Sequence, residues 1–125
     1  MPAISETNNL GDLLKYEAPN LYSRDLATVA AGQNLVLGTI VGRDSTTGKL
    51  KALDPAATDG TENAVGVLAA DVDATLIDRD DALLITRHAI VATHALVWPV
   101  AITPTEKTTA IAQLEARGVL VRIAA

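Results

Sequence analysis

At 125 residues and 13.0 kDa the chain has room for one domain, with or without a tail, and folding at that size hides roughly two-thirds of the unfolded surface. Hydrophobic residues make up 49% and aromatics 2%, so Val, Leu, Ile and Ala must fill the core, and so thin a core gains from association between copies. A net charge of −5 with no basic cluster excludes a phosphate-binding face and disfavours an anionic membrane surface, while zero Cys excludes disulfides, thiolate nucleophiles and cysteine-based zinc sites.

Residues 1–25 read differently from the rest. The opening "MPAISETNNLGD" lacks the charged and then apolar segments of a secretion signal. "NNLGDLLKYEAPNLYSRDL" is polar, carries Gly11 and Pro19, and sustains neither a strand nor a helix period. A solvated tail is polar throughout, yet this one holds Tyr16 and Tyr22, two of the three aromatics in the chain, with Leu10, Leu13, Leu14 and Leu21. The pattern predicts a flexible arm that orders on a partner, for instance by adding a strand to a sheet edge; the alternative is packing back on its own domain.

Residues 26–125 read as a β-rich domain. "NLVLGTIVGR" is rich in β-branched residues, and "KLKAL" follows the turn sequence "DSTTG", which predicts a hairpin with Gly48 at positive φ. "PAATDGTEN" is a surface loop, and "AVGVLAADV" is the next strand, with Gly66 at a bulge or close backbone approach. The acidic run "DVDATLIDRDD" raises calcium, but on an EF-hand loop started at Asp71 the turn glycine is Leu76 and the bidentate glutamate is Ala82. Asp71, Asp73, Asp78, Asp80 and Asp81 therefore read as solvated loop and strand-end acids.

One or two further strands follow over Ala82 to Trp98. His88 and His94, six apart in this run, share a face only at roughly 20 Å separation, too far for one metal. The longest apolar run, Ala89 to Ile102, is interrupted by Thr93, His94 and Pro99 and is too short to span a bilayer. Trp98 reads as a buried packing anchor where the last long strand turns into a helix, with Pro99 ending that strand. The helix itself is well specified: Thr103, Pro104 and Glu106 stand at N-cap, N1 and N3, Gly118 follows at C′, and Ala110, Ile111 and Leu114 form the buried stripe. "VLVRI" closes the chain as a strand. About seven short strands, one late helix and no βαβ alternation make the domain mostly β. No serine elbow, phosphate loop or dinucleotide fingerprint is present, so no catalytic residue, metal or cofactor is expected.

Taken together, "LLKYEAPNLYSRDLATVAAGQ", "GTIVGRDSTTGKLKAL", "TDGTENAVGVLAADV" and "ALVWP" leading into the "PTEKTTA" helix resemble the head decoration protein D family of lambda-like bacteriophages, from about Leu13 to the C-terminus. The resemblance implies a small domain of the β-clip type, assembled as a homotrimer. It implies seats at local threefold positions on the outer surface of the expanded capsid, where the trimer cements the shell against DNA pressure after synthesis in the host cytoplasm. The implied partner is the major capsid protein, with neither nucleic acid nor membrane involved. An N-terminal arm that orders on that protein would here place Leu13, Leu14, Tyr16, Glu17, Leu21 and Tyr22 at the contact. Two alternatives share part of the profile: another virion component such as a tail or head-tail joining protein, and a trimeric β-clip nucleotide hydrolase. The hydrolase reading lacks its Gly-rich phosphate segment, since "LVRIAA" ends the chain.

Overall fold

The structure, a computed structural model, describes residues 10–19, 23–100 and 102–123. The chain is mostly β with one C-terminal helix. In order it runs α1 (Leu10–Leu13), β1 (Leu14–Glu17), β2 (Arg24–Val29), β3 (Gln33–Leu35), β4 (Ile40–Arg43), β5 (Leu50–Ala52), β6 (Gly66–Leu68), β7 (Val72–Ala74), β8 (Arg79–Ile85) and β9 (Ala89–Ala92). A 3₁₀ turn (Thr93–Ala95), α2 (Pro104–Ala116) and β10 (Val119–Arg122) follow. The strands are more numerous than composition predicts because β1, β3 and β7 are pieces of three or four residues, too short to show a period.

The hairpin forms as its sequence dictates. Asp44 folds the turn with its own carboxylate, accepting from the backbone N–H of Thr46 at 2.8 Å and of Thr47 at 3.2 Å, and Gly48 closes it at φ 74°. β4 and β5 then pair antiparallel with Val41 opposite Ala52. These strands join β2, β6 and β8 in a closed barrel of order β2-β5-β4-β6-β8. Gly66 lies at a close backbone approach: a Cβ there would stand 2.7 Å from the Ile85 carbonyl oxygen.

Strand alternation divides the apolar residues between two cores. Val41, Leu68 and Leu84 point into the barrel with Val29 and Leu50. Ile40, Val67 and Ile85, which stand in register across β4, β6 and β8, point outward and are covered by the rest of the chain. Both faces are buried, and that is why "IVG", "VGVL" and "ALLI" read as near-continuous apolar runs. The outer core is closed by a three-stranded sheet of order β1-β9-β10 and by α2.

The capping box expected of α2 is complete, since the Glu106 N–H donates to Thr103 Oγ1 at 3.1 Å and the Thr103 N–H donates to Glu106 Oε1 at 2.9 Å. Ala110 and Leu114 are buried and Ile111 half-buried. One expectation fails here. β9 and β10 pair in parallel, Val119 opposite Ala89 through Arg122 opposite Ala92, so β9, α2 and β10 make one βαβ crossover. Parallel neighbours require such a long connection, but the strand pattern of "VLVRI" carries no mark of its partner or direction.

Candidate functional site

Composition draws attention to the N-terminal segment, and the structure joins its described part to the domain. Leu13 is fully buried in the outer core beside Val91. β1 occupies the edge of β9 antiparallel, with Leu14 opposite Val91, Tyr16 opposite Ile90 and Glu17 opposite Ala89. A register shift between Leu14 and Tyr16 marks an irregularity in the ladder. The expected contact residues Leu21 and Tyr22 lie outside the described residues, and residue 25, where composition changes, falls inside β2.

Charge and hydrogen bonding fix the far end of this segment. Ser23 is fully buried; its hydroxyl donates to the His88 carbonyl oxygen at 2.8 Å and accepts from the Ala18 N–H at 3.0 Å. The Arg24 guanidinium forks onto the Glu17 carboxylate at 2.7 and 2.5 Å, and this hydrogen-bonded contact holds the Glu17 carboxyl below its ordinary range. Next door, Arg87 forks onto Asp25 at 3.0 and 2.6 Å, and that contact likewise lowers the Asp25 pKa.

On the open face of the sheet the register lines up Tyr16, Ile90 and Leu120 across β1, β9 and β10. Tyr16 is 55% exposed, and Ile90 and Leu120 are half-buried. Facing residues on adjacent strands act as one unit, so this row forms an apolar stripe with a phenol at its end. It is suited to bind an apolar protein surface and offers nothing to a polar small molecule.

Trp98 is half-buried, packed against the outer core, with Lys107 Nζ 5.6 Å from its ring centroid. It therefore bridges the end of the strand region to the first turns of α2, and with Pro99, Val36 and Val97 it lines an uncharged groove. The histidines do not share a strand. His88 lies in the link between β8 and β9 at φ 48°, and His94 lies in the 3₁₀ turn. No glycine marks that break, which is why the sequence reads as continuous there; histidine is among the residues that tolerate the left-handed region.

The acids build turns. Asp71 accepts from the Leu37 N–H at 2.7 Å, and Asp73 from the Thr75 N–H and hydroxyl at 3.1 and 2.5 Å. Asp78 accepts from the Ala31 N–H at 2.8 Å and pairs with Lys49 at 2.5 Å. Among the described residues no three His, Cys, Asp or Glu side chains converge as metal ligands, and no helix is long and apolar enough to cross a membrane.

A model of the bacteriophage lambda head decoration protein D family matches residues 3–119 of the chain. The chain belongs to that family. Among curated proteins none matches it. Membership of the head decoration protein D family gives the chain a capsid decoration role and a place in the phage virion, as a structural protein. Sequence reasoning passed over Ser23, Arg24 and Arg87, which lock the N-terminal segment to the domain of this decoration protein. Their partners are up to 65 positions away along the chain, as for Ser23 and His88, and no local pattern announces such pairs.

Proposed function

We propose that the protein seats as homotrimers of a β-clip type at local threefold positions of the expanded phage head, contacts the major capsid protein, and restrains the shell against the pressure of packaged DNA. The family match over residues 3–119 carries this reading. It is supported by a chain whose small-residue core gains from association and whose net charge of −5 suits a site away from the DNA. Three copies held together convert modest contacts into strong attachment.

Within this reading the contact segment comprises Leu13, Leu14, Tyr16, Glu17, Leu21 and Tyr22. Of those described, Leu13, Leu14 and Glu17 hold the segment in place and Tyr16 meets the shell. Trp98 and Pro99 serve as the structural anchor behind α2. Co-sedimentation with expanded and unexpanded undecorated heads tests the whole. Saturation near three copies per local threefold on expanded heads alone is the expected result, and absence of binding to either head overturns it.

A further inference from the structure

The turn between β7 and β8 holds two adjacent aliphatic side chains in water: Leu76 is 89% exposed and Ile77 68%. A single exposed leucine is ordinary. Here, however, the turn that carries the pair is clamped from both sides. On one side the Asp73 carboxylate accepts from the Thr75 N–H and hydroxyl; on the other, Asp78 accepts from the Ala31 N–H and pairs with Lys49. Arg79, just beyond the tip, reaches Asp81 at 3.3 Å and the Asp73 carbonyl oxygen at 3.4 Å. The apolar tip is thus ordered before any partner arrives, and docking it costs little further chain entropy. Around it stand Asp73, Asp78, Asp80 and Asp81, all exposed, against the cations Arg79 and Lys49.

We infer that the Leu76–Ile77 tip is a second docking point, which inserts into an apolar socket with a basic rim on the capsid shell. This rests on the decoration reading above. The acidic surround decides the occupant: a second copy of this chain carries the same net charge of −5 and has no basic cluster to meet those acids, whereas a shell surface with lysines or arginines around an apolar depression complements them. The aliphatic pair supplies the buried area, and the acids supply orientation and rate.

The test compares binding of three full-length proteins to expanded, undecorated heads, with melting temperature and oligomeric state measured alongside. For the Leu76→Ser, Ile77→Ser double variant we expect the half-saturating concentration to rise by about tenfold or more, with unchanged melting temperature and assembly. For Asp80→Asn, which leaves the tip's shape alone, we expect a rise of about threefold at low salt that vanishes at high salt. Unaltered binding by the double variant overturns the proposal while leaving decoration standing. A change in oligomeric state overturns it in favour of a contact between copies. If the unaltered protein fails to bind heads, the decoration reading falls and takes this proposal with it.

Discussion

Gly42 stands in β4 opposite Lys51, and the backbone of Thr61 crosses so near that a Cβ on residue 42 would lie 2.5 Å from the Thr61 Cα and carbonyl oxygen. A side chain in that position could rotate aside, but a backbone cannot without moving the loop that Asp59 and Gly60 shape. Overpacking costs about 1–3 kcal/mol, and backbone contact puts Gly42→Ala at the upper end, about 3 kcal/mol. Urea unfolding checks this, and a loss well under about 1 kcal/mol would mean that the loop yields freely. Trp98 calls for the opposite adjustment. A fully buried tryptophan replaced by alanine loses about 3–5 kcal/mol, but this ring is half-buried and partly covered by Lys107, so Trp98→Ala should cost about 2 kcal/mol. An unchanged melting temperature would remove its role as anchor. Neither magnitude follows from sequence, because each depends on which distant backbone or side chain comes alongside.

At the scale of elements, β1 separates holding from touching. Leu13 is buried in the outer core while Tyr16, three residues on, is exposed on the open face. Leu13→Ala should therefore lower stability by about 3 kcal/mol. Tyr16→Ala should leave the melting temperature within about a degree and weaken co-sedimentation with expanded heads. A Tyr16 variant that binds normally would take the contact away from this strand. The same element shows what is legible in sequence. Elements specified by local chemistry are legible in sequence, because cap, turn and glycine signals act within a few residues: Thr103 with Glu106 for α2, Asp44 with Gly48 for the hairpin. Elements specified by distant partners are not. β1 is four residues whose strand character comes from β9, over seventy positions away, and β10 takes its parallel direction from that same strand. The tyrosines and leucines did mark the segment as one with apolar contacts to make, but not where Leu13 makes its own.

For the whole molecule, two electrostatic effects oppose each other as pH falls. Protonation relieves a net charge of −5 and favours the folded state down to the isoelectric point near 4.8, below which positive charge builds up and repels. Against this, Glu17, Asp25, Asp44, Asp59, Asp73 and Asp78 all have carboxyls held below their ordinary values by hydrogen bonds. A group whose pKa is lower folded than unfolded stabilises the protein above its unfolded value and loses that contribution as pH falls through the folded one. The ordinary values here are 4.5 for Glu17 and 3.8 for the aspartates, so the loss begins near there and continues below. A surplus of five charges spread over the surface is weakly repulsive and screened by salt, whereas six carboxylates each hold a specific donor. The donors therefore decide the sign. Melting temperature should be nearly level from about pH 7 to 5 and fall steadily below about pH 4. Glu17→Gln should flatten part of that fall, because it removes one of the six titrating groups. A melting temperature that holds level on acidification to about pH 3, where the chain is already net positive, would show that the carboxylate contacts of the turns and of the β1 junction contribute little to holding the fold.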